Sequence, residues 1–184
     1  MRFLQDYDRK AAVQYAHRWA YGRNPAFYDY EHLGGDCTNF ASQCIFAGSG
    51  VMNFTPTFGW YYIDANQKAP AWTGVPYLYN FLTRREISLG PVAEDSTLEN
   101  ILPGDIVQLS FKGNEFQHCP VVVAGGSPPT LENTLIAATA MTPTTVRCPP
   151  TSSGRSAFCT SPAPSILNHH LMVCSHSAPA DLLS

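Results

Sequence analysis

The run Gly34-Gly35-Asp36-Cys37-Thr38-Asn39-Phe40 constrains this chain more than any other segment. Two adjacent glycines reach backbone conformations closed to other residues, so they turn the chain tightly. The stretch that follows, Thr38 to Ala47, is helical in character and halts at Gly48-Ser49-Gly50. A cysteine is thereby set at a helix N-terminus, where the positive end of the helix dipole favours thiolate over thiol. A thiolate is a nucleophile at neutral pH, and the glycines leave room for a substrate backbone. A small apolar residue closing a helix start would look the same. On spacing alone the two readings weigh equally.

A nucleophilic cysteine needs a base. The histidines are His17, His32, His118, His169, His170 and His176. His17 falls on the first predicted helix, His32 just before the glycines, and the last three in a tail of aberrant composition. His118 is the best candidate. It opens the apolar run Pro120-Val121-Val122-Val123-Ala124, which reads as a buried strand. A strand over Gly104–Leu109 precedes it, joined as a hairpin through Lys112-Gly113-Asn114-Glu115. A lone histidine there would be an ordinary exposed strand end. Downstream of Cys37 it becomes the candidate base.

At these residues the chain resembles the bacterial putative amidase domain family. The resemblance is carried by Tyr7-Asp8-Arg9 with Ala11-Ala12, the Gly34–Phe40 block, Gly59-Trp60-Tyr61-Tyr62, Ala71-Trp72-Thr73 and Gly104-Asp105-Ile106-Val107-Gln108. It spans about residues 7–138, and the glycine–cysteine block is its specific part. That family is similar to the NlpC/P60 and CHAP cysteine hydrolases, with a papain-like core. The resemblance implies a cysteine nucleophile, Cys37, and a histidine base, His118. Related hydrolases cut amide bonds in peptidoglycan, which makes peptidoglycan or a related peptide the expected substrate.

The length of 184 residues fits one domain, and a hydrophobic share of 45% is ample for a core. A net charge of −3 gives no reason to expect nucleic acid. No apolar run reaches the roughly 18 residues of a membrane span. The N-terminus turns charged at once and lacks a signal peptide's apolar core, so a cytoplasmic location is expected as the chain reads. The cell wall is the alternative if the chain is exported by another route or its start is incomplete. Cys148, Cys159 and Cys174 lie in the aberrant tail, which leaves Cys37, Cys44 and Cys119, an odd set for a disulfide framework. Cys37 and Cys44 stand seven apart on one helix face, and no Cys-x-x-Cys pair occurs, so no zinc site is expected. No other metal or organic cofactor is expected either. Cys44 reads as core, and Cys119 should point to the opposite side of its strand from His118.

A first helix is expected over residues 6–22, from the spacing of Tyr7, Ala11, Tyr15, Ala16, Trp19 and Ala20, capped by Asp6 or Asp8. Residues 51–76 are irregular and aromatic. Trp60, Tyr61 and Trp72 there are candidates to stack on a sugar or hold a peptide, though burial for packing is the commoner fate of such rings. A short helix is expected over Tyr77–Arg84, a surface connection over 86–100, and a third apolar strand at Leu135-Ile136-Ala137-Ala138.

From Thr139 the composition changes: residues 139–165 are crowded with Thr, Pro, Ser and Cys and show no periodicity. One base restored ahead of Thr139 permits His-Ser-Tyr-Asp. Thr145–Pro149 then permits Asn-Arg-Pro-Leu-Ser, and Ser152–Thr160 permits a strand ending Phe-Leu-His. These words resemble the C-terminal part of the same family. Residues 1–138 are therefore expected to be the amidase domain, and 139–184 a frameshifted or disordered tail replacing its last strands. By that resemblance Thr139 stands where the family has a histidine, the third polar group that would hold the base. The expected fold is α+β, with N-terminal helices packed on a small antiparallel sheet around a papain-like core. The expected chemistry is amide hydrolysis by Cys37 and His118, with Asp36 stabilising the helix start and Asn39 and Gln43 nearby without a role. The rivals are a catalytically impaired or non-catalytic wall-binding module and an acyltransferase on the same core.

Overall fold

The computed structural model describes residues 6–86, 88–110 and 115–139, and the backbone of Asn168–Cys174. Of the expected frameshift tail, residues 140–167 and 175–184 lie outside the described residues, as does most of the hairpin turn at Lys112–Glu115, while Asn168–Cys174 is a strand paired on both sides. The helices are α1 (Arg9–Trp19), α2 (Cys37–Ser49), α3 (Pro70–Thr73) and α4 (Val75–Leu82). The strands are β1 (Ala93–Ser96), β2 (Ile106–Ser110), β3 (Val121–Ala124), β4 (Leu135–Ala137) and β5 (Asn168–Cys174). All pairings are antiparallel, in the order β1-β5-β2-β3-β4. The α+β class is as the sequence implies.

The first helix is shorter than its apolar pattern. Asp8 caps it, its carboxylate accepting from the Ala11 N–H at 2.9 Å, so the helix begins at Arg9. Ala12 and Ala16 are fully buried, which lets α1 lie close against α2. Gly48 completes that approach: a Cβ there would stand 2.4 Å from the Tyr7 ring and 2.8 Å from the Asp8 carbonyl. The second helix therefore runs through Gly48 and ends at Gly50, whose φ of 67° makes the left-handed cap. Tyr7 hydroxyl donates to the Gly104 carbonyl (3.1 Å), and Arg9 meets the buried Asp105 carboxylate at 2.5 Å. These contacts fasten the start of α1 to the entry of β2.

Both faces of the sheet are covered. Ile106, Cys119, Val121 and Val123 join the main core with Phe40, Cys44 and Ile45 of α2. Val107 and Val122 face the other way, onto Ile101, Leu98 and Leu109. This is the two-residue alternation of a strand buried on each side. Two elements depart from expectation. The segment 86–100 contains β1 and a 3-10 turn (Leu98–Asn100) rather than a plain connection. The short helix predicted at Tyr77 starts at Val75 and is preceded by α3, each with proline in its first turn.

Candidate active site

Gly34 and Gly35 each take φ of 106°, which turns the chain sharply into α2. Cys37 is the first residue of that helix and is 9% exposed. Its sulfur lies 3.8 Å from the Thr38 hydroxyl, and the backbone N–H groups of Thr38 and Cys119 act on its titration. Burial dominates its titration and pushes the thiol above its ordinary value. The Thr38 hydroxyl and the two N–H donors pull it down, and the Asp36 carboxylate adds to the rise. Burial thus outweighs what the helix start can do for this thiol. Cys44 is fully buried and raised further, as a core residue should be.

Asp36 does not cap α2 with its side chain. Its Oδ1 instead accepts from the Tyr30 N–H (3.1 Å) and from Asn39 Nδ2 (2.8 Å). Its Oδ2 lies 3.5 Å from Arg23 Nε and accepts from the Thr139 hydroxyl at 3.4 Å. Asn39 in turn donates to the Tyr28 carbonyl (3.1 Å) and accepts from the Trp72 indole (2.9 Å). The sequence left Asn39 without a role. In the structure it is the hub that ties the 28–36 loop, the helix start and the aromatic segment together. Burial outweighs these bonds and the Arg23 charge, and raises the Asp36 carboxyl. Gln43, the other unassigned polar residue, accepts from the Tyr15 hydroxyl at 2.7 Å. Thr139 is itself buried, with its hydroxyl on Asp36, the residue before Cys37.

His118 pairs with Leu109 across the hairpin. Strict alternation would turn His118 to the side opposite Cys119. The Leu109 carbonyl, however, accepts from both Gln117 N–H (2.9 Å) and His118 N–H (3.3 Å). That doubled acceptance marks a bulge at Gln117–His118. The imidazole is half-buried, and burial holds its pKa below the ordinary value.

The aromatic candidates divide. Trp60 and Trp72 are both 0% exposed, with centroids 4.9 Å apart. Trp60 donates to Ser42 Oγ (3.0 Å) and Trp72 to Asn39. They are core residues and present no face to a ligand, because their N–H groups find partners on α2. Tyr61 is half-buried and stacks on Phe54, which is 59% exposed. A recess open to solvent, about 220 Å³ including its mouth, is lined by Asp36, Asn39 and Gln43 with Arg23, Tyr28 and Thr139. Cys37 is not among its lining residues. No group of three or more His, Cys, Asp or Glu side chains comes together among the described residues to hold a metal ion.

A cysteine heads a buried helix that packs with an antiparallel sheet, in a protein of the α+β class. The chain belongs to the putative amidase domain family, whose model matches residues 6–153. It is 36% identical over 121 residues to the uncharacterized protein YhbB of Bacillus subtilis (strain 168). That alignment covers 64% of this chain and 37% of YhbB, so the chain spans little more than a third of that relative. No solved structure matches it.

Proposed function

We propose that the chain is a cysteine amidase, with Cys37 as nucleophile and His118 as general base, acting on amide bonds of peptidoglycan or a related peptide. The core is the papain-like one of the NlpC/P60 and CHAP hydrolases. His118 accepts the thiol proton as Cys37 attacks the amide carbonyl, then protonates the leaving amine, and water releases the acyl group. The oxyanion lies near the Cys37 N–H at the helix start. One observation carries this assignment: Cys37 is the first residue of α2, entered through the positive-φ Gly34 and Gly35, and packs in the same buried core as Cys119, the residue next to His118. Residues 139–184 are a frameshifted replacement of the family's last strands, and Thr139 stands in for the third polar group. Sequencing the source DNA tests that point: an intact frame encoding the same tail in close relatives refutes it.

A non-catalytic wall-binding module is the second reading, favoured by the Phe54–Tyr61 stack and by Phe58, which is 82% exposed. Incubation with purified peptidoglycan separates them. Amidase action releases new amino groups that Cys37→Ala abolishes. Retention on the glycan without release, alike in both proteins, supports the binding module. Release that persists in Cys37→Ala refutes the nucleophile. Transfer of the acyl group to an added amine identifies the transferase variant of the same chemistry.

A further inference from the structure

We propose that the recess beside α2 holds a sugar hydroxyl, so that the protein grips the glycan part of its substrate there. The proposal deepens the amidase reading above and rests on it for the substrate alone. Asp36, Asn39 and Gln43, at spacings of three and four residues, share one face at the head of α2 and line the recess. Each is 5% exposed or less, so each hydrogen bond they make or lack matters. One hydrogen-bond chain leaves Gln43 with a spare donor. The Ala26 N–H donates to Asn24 Oδ1 (3.0 Å), which fixes that amide and turns its Nδ2 to the Tyr15 hydroxyl at 2.7 Å. The single Tyr15 proton then goes to Gln43 Oε1, also at 2.7 Å. Gln43 Nε2 is thereby left as the other end of the amide, and it donates to no described residue.

Asp36 supplies the matching acceptor. Its Oδ1 is held by the Tyr30 N–H and by Asn39. Among the described residues its Oδ2 meets only the Thr139 hydroxyl at 3.4 Å and Arg23 Nε at 3.5 Å. A hydroxyl donating to a carboxylate comes to about 2.5–2.7 Å, so Oδ2 has room for one short bond. A spare donor and a spare acceptor suit a group that both accepts and donates. A carboxylate is disfavoured, because Arg23 is already matched by Asp29, Glu31 and Asp36, three acids against one cation. An ammonium group has nothing to accept from Gln43. A hydroxyl does both. The enclosed part of the recess is about the size of one water molecule, which a hydroxyl matches and a planar carboxamide overfills. Tyr28, 48% exposed, and the half-buried Trp19 line the same recess. Such rings combine a flat apolar body with a polar edge, the surface that the C–H face of a pyranose fits.

The test titrates the full chain with chitotriose and follows the NMR resonances of the Gln43 side-chain amide. The expected result is a saturable shift of those resonances, alike in wild type and Cys37→Ala. Gln43→Glu keeps an acceptor for Tyr15 but turns the spare donor into an acceptor, and should weaken binding about tenfold. Gln43→Met serves if the added carboxylate unfolds the protein, and the wild-type titration stands without either. N-acetylserinamide is the second arm. If it moves the Gln43 amide and chitotriose does not, the hydroxyl comes from a peptide side chain and the glycan assignment is overturned. No shift with either probe, or equal affinity in a folded Gln43 variant, overturns the subsite. Such a failure leaves the nucleophile standing if Cys37→Ala still abolishes amide release. Chitotriose binding at Gln43 alongside release that survives Cys37→Ala overturns the nucleophile and keeps the subsite.

Discussion

Replacing Asn39 with alanine should unfold this protein more readily than its size suggests. The Asn39 side chain is 2% exposed and makes three hydrogen bonds, to Asp36 at 2.8 Å, to the Tyr28 carbonyl at 3.1 Å and from the Trp72 indole at 2.9 Å. The bond to a carboxylate is worth about 1.5–3 kcal/mol, and the orphaned indole N–H, fully buried, costs about 1–3 kcal/mol. Tyr28 is 48% exposed, so its carbonyl can find water and adds little. The expected loss is about 3–5 kcal/mol, against about 5–15 kcal/mol of stability in a typical domain. Ser42→Ala removes one bond, from the Trp60 indole, and should cost about 1–3 kcal/mol. Urea titrations followed by tryptophan fluorescence measure both. At an unchanged slope the midpoints should fall in the order wild type, Ser42→Ala, Asn39→Ala. A midpoint for Asn39→Ala no lower than that of the exposed-site control Asn66→Ala would refute the hub.

Three further outcomes follow from other parts of the molecule. Gly48→Ala forces a Cβ against Tyr7 and Asp8, and should lower stability by about 1–3 kcal/mol by separating α1 from α2; an unchanged urea midpoint contradicts the close approach. His118 is buried with its pKa depressed, so between that value and the ordinary one of about 6.5 the unfolded chain binds more protons. Unfolding free energy therefore falls as pH drops through that window, and His118→Gln should flatten this part of the stability–pH curve, while an unaltered curve counts against the burial. Thr139→His places an imidazole beside Asp36 and should raise amide release from peptidoglycan; a folded variant with the wild-type rate contradicts the role proposed for that position.

The sequence foretold most where the signal is local. Two glycines before Cys37 both proved left-handed, and the helix begins at the cysteine itself. Val121–Ala124 read as a buried strand because its run of valines faces apolar neighbours on both sides. Ala93-Glu94-Asp95-Ser96 carried no such pattern, and it is a strand only because β5 pairs with it from far along the chain. Trp60 and Trp72 illustrate a different limit. An indole suits a sugar face and a core equally well, and what settles the matter is whether its N–H finds a buried partner. Those partners, Ser42 and Asn39, lie 18 and 33 residues away, beyond any local pattern. Asp36 was rightly placed at the helix start, but its carboxylate binds the preceding loop and the Asn39 side chain rather than a backbone N–H of the first turn.

The assignment of Cys37 and His118 as a working pair is tested most directly by the rate of iodoacetamide alkylation, resolved residue by residue with mass spectrometry at neutral pH. Burial raises the Cys37 thiol, so only a base at the sulfur can supply thiolate there. The account predicts that Cys37 reacts faster than Cys44 and Cys119, and that His118→Ala slows Cys37 by about a hundredfold or more, within the range that general-base assistance supplies, while leaving Cys44 unchanged. An equal rate at Cys37 with and without His118 would contradict it.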